Sequence, residues 1–425
     1  MANSTLLVPD RKFVAAIIAA GGGGLKKCYQ CATCSVVCEL APGDRPFPRK
    51  EMIWAQWGLK DRLVADPDVW LCHQCNDCSL KCPRDARPGN VLAAVRQQAV
   101  QHYAAPRFLG RWMNSGKLQA PLMALTAALL ALALMVREPI ESALNFGEPH
   151  GFYAEFFPHW LLIGFFAFFT VLAMLAAIVG VVRLWRAMKE TDGLYGSPAP
   201  PAPPAPPVGV LKSIVRAVVS IFVHDKFAKC SSRPSRRITH LTAFYGFVAL
   251  YIVTVWAVLD LYVLPHMGVA SLYPFDLAHP MKVLANVGGV LLVFGCAKAI
   301  LDRLRDPNDA QTTTAFDWIF VWLLLGVGVT GFVIETLRFA IDPVAESAMV
   351  SIAYGLYFVH LVLVFQLLVY LPYSKFAHLL YRTTAMVYAE HTGRTNGARP
   401  PARLTERSLP KPETPAALEG SAAGN

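Results

Sequence analysis

The stretch CHQCNDCSLKCP, residues 72–83, spaces four cysteines by two, two and three residues and follows the last with a proline. A second run, CYQCATCSVVC at 28–38, repeats the spacing without the proline. Eight of the ten cysteines therefore sit in the first 82 residues of a 425-residue chain. The remainder is of a different character: the chain is 55% hydrophobic and only 16% charged, too apolar for an ordinary soluble protein. A secreted disulfide framework does not fit, because RKFVAAIIAAGGGG at 11–24 has a brief apolar run and no small-residue cleavage pattern. The cysteines are expected in a reducing cytoplasm.

Beyond about residue 110 come six apolar runs near the ~20 residues that cross a bilayer: 118–136, 159–182, 238–264, 279–301, 316–339 and 347–373. An acidic loop with Glu138, Glu141, Glu148 and Glu155 follows the first run. SPAPPAPPAPP at 197–207 reads as a stiff linker. After it, 208–230 alternates apolar and basic positions at helical period, as a helix lying on a membrane face or packed on a partner would. Lys and Arg gather in RLWRAMK, RPSRR, LDRLR and the C-terminal part, while the opposite loops hold little beyond Arg137 and Arg338. That asymmetry predicts a cytoplasmic cysteine domain and C-terminus in an inner-membrane protein, and it accounts for the +10 net charge without nucleic acid. The expected fold is all-α: a small helical domain at 1–110, spans one and two in 111–192, linker and amphipathic helix at 193–237, spans three to six in 238–392, and a disordered tail at 393–425.

The C-x2-C-x2-C-x3-C run, completed by its proline, is that of two-cluster ferredoxins, in which the fourth cysteine serves the other cluster. Cys28, Cys31, Cys34 and Cys82 are then expected on one [4Fe–4S] centre, and Cys72, Cys75, Cys78 and Cys38 on a second. Two structural zinc sites would also consume eight thiolates, but zinc usually takes paired C-x2-C knuckles, not three cysteines in succession. Cys230 and Cys296 lack a second cysteine at ligand spacing and read as free thiols. Gly21 to Gly24 read as a hinge, not a phosphate loop.

Imidazole is the usual axial ligand of haem b, and a haem between helices needs histidines at matched depth. In the last run His360 and His378 are eighteen residues apart and are expected on one face of one helix, about five turns or about 27 Å apart, so that one helix ligates two stacked haems. His378 would pair with His240 near the basic surface. His360 would pair with His279, or with its rival His159, near the other. Ionisable residues in or at the ends of spans are quinone-site candidates: Lys282, Lys298, Glu335 and Arg338. Pairing of Glu335 with Arg338, three residues on, is the plainer alternative.

Residues 20–105 resemble the C subunit of heterodisulfide-reductase-type complexes, through the two cysteine runs, Phe47-Pro48-Arg49 and the Trp70-to-Pro83 motif. The Cys-Cys-Gly repeat of the disulfide-reducing subunits is missing, since no two cysteines are adjacent. Residues 155–390 resemble the haem b subunit of respiratory nitrate reductase through His360, His378 and His240, although Leu250 stands where that family usually has another histidine. The fusion of the two is similar to the C subunits of quinone-interacting membrane-bound oxidoreductase (Qmo) complexes, most closely in 224–247. This resemblance implies two haems b, ubiquinone or menaquinone, Qmo-type A and B flavin and iron–sulfur subunits, and adenylylsulfate reductase beyond them. A quinol-linked subunit of a disulfide- or sulfite-reducing system, and a zinc-stabilised anchor with no redox role, are the alternatives.

Overall fold

The computed structural model describes residues 8–42, 46–137, 152–195, 208–224, 234–305, 313–341 and 348–394. Glu138, Glu141, Glu148, the proline-rich linker, Cys230 and the tail beyond Arg394 lie outside the described residues. Among the described residues every regular element is helical.

The N-terminal domain is made of short helices: α1 Arg11–Ala19, α2 Thr33–Val37, α3 Arg49–Gln56, α4 Lys60–Val64, α5 Pro67–Leu71, α6 Asp77–Leu80 and α7 Pro88–Tyr103. Their starts are coded locally. Asp10 caps α1 by accepting from the Phe13 amide at 2.9 Å, and Phe13 and Ile17, four residues apart, then face inward together. Asp66 caps α5 the same way, with Pro67 at the first helical position, where a missing N–H costs nothing.

Longer helices follow. α8 Arg107–Ser115 and α9 Gln119–Met135 meet at 118° around Gly116, whose φ of +65° suits glycine. α9 is tied to the bundle by Gln366, which donates to the Leu122 carbonyl at 3.1 Å and the Thr126 hydroxyl at 2.7 Å. α10 His159–Tyr195, α12 Pro234–Tyr262, α13 Pro280–Arg305, α14 Ala315–Ala340 and α15 Ala348–Val369 are each long and apolar enough to cross a membrane; α8 with α9 supplies a sixth crossing if the bent pair counts as one. α12 and α13 approach closely because a Cβ on Gly246 would lie 2.5 Å from the Leu292 amide, and one on Gly295 2.6 Å from the Ala243 amide. α11 Val210–Val223 is the expected amphipathic helix: Ser213 and Ala217 are buried, while Leu211, Val215, Val219 and Phe222 are exposed.

The last apolar run is not one helix. It stops at Val369, passes two short 3-10 turns, Leu371–Tyr373 and Lys375–Ala377, and restarts as α16 His378–His391. Pro372 is the cause, since it has no amide hydrogen and its ring blocks the preceding turn. His360 and His378 therefore sit on different helices, and the geometry of one shared face does not apply.

One core joins the two halves. Phe13, Ile17, Leu63, Trp70, Leu92 and Val95 pack in the same cluster as Leu184 and Met188 of α10 and Tyr381, Ala385 and Tyr388 of α16. Trp70 and Tyr381 are fully buried with ring centroids 5.3 Å apart. Each such aromatic contributes about 2–3 kcal/mol from burial, so the small domain is fixed on the helix ends and not merely tethered.

Candidate functional site

The two cysteine loops share one backbone conformation. Gln30 and Ala32 have φ of 62° and 68°, and Gln74 and Asn76, at equivalent positions, have 53° and 69°. Left-handed non-glycine residues are uncommon and signal a constrained turn. Nearby N–H groups reach sulfur: Gln74 N to Cys72 Sγ at 3.3 Å, Ala86 N to Cys82 Sγ at 3.4 Å, and Gln30 Nε2 to Cys28 Sγ at 3.3 Å. Such concave sets of donors suit an anionic sulfur cluster.

The fourth cysteines cross over. α2 and α6 pack together, and Cys38, at the end of α2, lines one cavity with Cys72, Cys75 and Cys78 over Phe47 and Leu92. Cys82 instead faces Cys28 and Cys34 closely enough for their charges to interact. Burial, then the neighbouring Cys28 sulfur, pushes the Cys34 thiol up to about 11; burial, then Cys72, pushes Cys38 up to about 12. Packed thiolates of this kind need compensating positive charge, which iron ions in a cluster supply, so the donor set fits. Cys31 differs: it is exposed, and a hydrogen bond with the Thr33 hydroxyl lowers its pKa.

Three arginines seize the carbonyls beside Cys72. Arg382 of α16 donates to Cys72 O at 3.1 Å and meets His73 Nε2 at 2.6 Å. Arg96 of α7 donates to Val69 O at 2.9 Å and Cys72 O at 3.3 Å, and Arg236 of α12 to Gln74 O at 3.1 Å. The Cys38/Cys72/Cys75/Cys78 group thus faces the apolar helices, four residues of α16 away from His378.

His378 opens α16 with Nδ1 2.7 Å from the Lys375 carbonyl. A carbonyl only accepts, so Nδ1 carries the proton and Nε2 keeps its lone pair. His240 of α12 lies within electrostatic reach of His378 and stacks on Phe244. His360 of α15 contacts Thr330 Oγ1 of α14 at 2.8 Å; that hydroxyl gives its proton to Gly326 O at 2.7 Å and must accept from the ring, which again leaves Nε2 free of a proton. These three suit axial ligation. His279 fits less well, because its Nδ1 accepts from the Met281 amide at 3.3 Å, putting the proton on Nε2, and its ring stacks on Phe275 at 4.4 Å. The His159 ring meets Tyr273 edge-on at 5.6 Å, beside the same turn.

The four ionisable candidates do not assemble. Lys298 pairs with Asp302 at 2.7 Å and meets Ser235 at 2.5 Å, at the end of the bundle near the cysteine domain. At the far end Lys282 pairs with Glu335 at 3.0 Å, across α13 and α14, and the Glu335–Arg338 pairing expected as the plain alternative gives way to it. Lys282 and Arg338 both lie over Phe339, at 5.9 and 5.1 Å. A cleft of about 470 Å³ beside them is lined by Leu277, Asn286, Phe332, Glu335, Thr336 and Phe339.

Sequence reasoning passed over two further groups. His224 ends α11 with its ring 5.4 Å from His240; its signal was a histidine just before a span. Asp66 and Asp68 of the α5 start, Glu51 and Lys50 of α3, and Arg394 form a buried ionic cluster: Arg394 grips Asp68 at 3.1 and 2.9 Å, and Lys50 reaches Asp68, Asp66 and Glu51 at 2.5, 2.7 and 3.3 Å. No local spacing announces it, since Arg394 is 326 residues from Asp68.

The arrangement is that of a membrane-embedded iron–sulfur protein of the electron-transfer class. Residues 24–86 match the 4Fe-4S dicluster domain, and residues 114–399, more than half of the chain, match the family described as citrate utilization protein B; the chain belongs to that family. Its N-terminal part is 37% identical over 95 residues to the C subunit of the H(2):CoB-CoM heterodisulfide,ferredoxin reductase of Methanothermobacter marburgensis, covering 22% of this chain and 50% of that protein. It is 39% identical over 85 residues to a protein of Archaeoglobus profundus described as like the C subunit of heterodisulfide reductase, covering 20% and 45%. A longer, weaker similarity, 22% over 172 residues and covering 38% and 62%, is to the E subunit of the dihydromethanophenazine:CoB--CoM heterodisulfide reductase of Methanosarcina mazei. The chain spans about half the length of the curated C-subunit relatives it matches. No solved structure matches it.

Proposed function

We propose that the chain is the membrane subunit of a quinone-dependent oxidoreductase, exchanging electrons between the quinone pool and cytoplasmic flavin and iron–sulfur partners of the Qmo A and B kind, and through them adenylylsulfate reductase. The observation that carries this reading is the continuity of the two crossed cysteine groups with His378, through Arg382 and one shared core.

In this reading Cys28, Cys31, Cys34 and Cys82 hold one [4Fe–4S] cluster and Cys38, Cys72, Cys75 and Cys78 the other. His240 with His378 holds one haem b, and His360 one ligand position of a second, whose partner is His159 or His279. The clusters and haems supply one-electron chemistry, the quinone a two-electron, two-proton terminus. The protein supplies the rest. N–H groups directed at sulfur stabilise charge on the cysteines, the Lys375 carbonyl and Thr330 hydroxyl orient the imidazoles, and the shared core excludes water from the path. Lys282 and Glu335, beside the far cleft, are the groups able to hold and release a quinone's protons. The basic residues gathered at the cysteine-domain end of the spans support a cytoplasmic location for that domain.

The names of the relatives favour a second reading, a membrane subunit delivering electrons to disulfide reduction by a partner. Both readings are tested by purifying the full chain and recording visible and EPR spectra with metal analysis. Dithionite-reducible b-haem bands and two [4Fe–4S] signals are expected. Zinc in place of iron, with no haem bands, overturns both. Quinol reduction of the haems, and co-purification with either flavoprotein subunits or a protein bearing the Cys-Cys-Gly repeat, separates them.

A further inference from the structure

The two cysteine groups differ in what surrounds them. Around Cys72 the backbone carbonyls are taken by Arg96, Arg236 and Arg382, and α16 lies against that side. Around Cys31 the surface is open. Cys31 itself is exposed, and three large apolar side chains close in sequence to this group's cysteines stand out: Tyr29 at 69%, Val36 at 68% and Leu80 at 56% exposure. Isolated exposed apolar residues are ordinary; three close to the cysteines of one cluster group are not.

The sequence beside these cysteines is basic. Lys26, Lys27, Lys81 and Arg84 are exposed, as is Asp85; Glu39, also exposed, lines the cavity of the other cysteine group. Arg84 is held in place, lying 4.3 Å over the Tyr29 ring and donating to its hydroxyl at 3.1 Å. Asp85 pairs with Lys27 at 3.4 Å and Arg87 at 2.8 Å and offsets one of these charges, which leaves Lys26, Lys81 and Arg84 as the excess. An apolar centre with an excess of one sign of charge around it is the form of a transient electron-transfer interface, where steering by charge sets encounter and a small apolar patch brings the centres together.

We propose that the face around Cys31, bounded by Tyr29, Val36, Leu80, Lys81 and Arg84, is the docking surface for an acidic one-electron carrier protein, and that the Cys28/Cys31/Cys34/Cys82 group is the outer of the two. This rests on the electron-transfer reading above and adds the order of the two groups and the charge of the partner.

The probe is a plant-type ferredoxin, a small acidic one-electron carrier, titrated into the full chain in detergent while binding is followed by calorimetry. Binding is expected at low ionic strength, weakening as salt is raised. Lys81→Glu/Arg84→Glu should weaken it roughly tenfold or more, and Lys81→Gln/Arg84→Gln by less. Arg11→Glu/Lys12→Glu at the start of α1 makes the same charge change away from the loops and should alter it less than about twofold. Separately, a water-soluble dysprosium chelate should speed EPR relaxation of one cluster signal, the one shifted by Cys31→Ser and not by Cys75→Ser. Absence of binding to the unmodified chain, salt-independent binding, equal effects of rim and control variants, or relaxation of the Cys75-linked signal instead each overturns the proposal. If the preparation has no cluster signals at all, the electron-transfer reading fails, and that outcome is visible before any ferredoxin is added.

Discussion

The Arg382 guanidinium donates to the Cys72 carbonyl at 3.1 Å, and Arg382 lies one helical turn beyond His378. One side chain therefore spans the two halves of the molecule at the point where a cysteine loop meets the helix carrying a candidate haem ligand. Arg382→Gln removes a positive charge from one cysteine group. In an EPR redox titration the midpoint potential of the Cys38/Cys72/Cys75/Cys78 cluster should fall by on the order of tens of millivolts, with the other cluster unmoved. A shift shared by both clusters would contradict the geometry.

Arg394 closes the described chain by gripping buried Asp68. Removing one partner of a buried pair leaves a charge without compensation, and Arg394→Ala should cost about 3–5 kcal/mol, less whatever Lys50 recovers. The lowered unfolding temperature of the purified chain measures it. The double change Arg394→Met/Asp68→Leu should be milder than Arg394→Ala alone, because no orphan charge remains.

Glu51 and Asp68 give opposite pH dependences. Burial pushes the Glu51 carboxyl up to about 8 against the pull of Lys50, so its contribution to stability is fully present below the ordinary glutamate pKa and is lost as pH rises through about 8. Burial also works to raise Asp68, but Lys50 and Arg394 outweigh it and hold the carboxyl down to about 2, so its contribution is present at neutral pH and is lost as acid approaches that value. Glu51→Gln should flatten the decline in unfolding temperature between about pH 5 and pH 8. An unchanged slope would mean that Glu51 is ionised in the fold.

The histidines predict a spectral pattern. His378→Ala and His240→Ala should abolish the same haem band, and His360→Ala the other. His279→Ala should leave both bands in place, since its ring is committed to the Met281 amide and Phe275, and His159→Ala then becomes the decisive variant for the second haem. Retention of both haems in His378→Ala would remove the ligand assignment.

Glu335→Gln breaks an ion pair at the far cleft without changing volume. Quinol oxidation should slow roughly tenfold or more with the haem spectrum intact, as loss of a proton acceptor predicts. Lys298→Met, at the opposite end, should leave quinol oxidation unchanged.

Much of this was legible because it is local. Spacing alone located both cysteine loops, and five long apolar helices lie at the expected spans, since length and apolarity are properties of contiguous residues. The break at Pro372 was also written in the chain, but an unbroken apolar run around it outweighed one residue. What spacing could not reveal was the docking: Trp70 finds Tyr381, and Lys282 finds Glu335, through packing that no window of sequence contains. His279 illustrates a third limit: the tautomer that makes it a poor axial ligand is fixed by one backbone amide, which no spacing reveals.

The burial of Trp70 against Tyr381 has a mechanical consequence. A cluster domain on a loose tether could swing between donor and acceptor, as shuttle arms do, and its reach would be set by the length of its linker. Here the hinge is welded by aromatic packing and by the grip of Arg394 on Asp68. The domain is a fixed terminal, and whatever exchanges electrons with it must do the travelling.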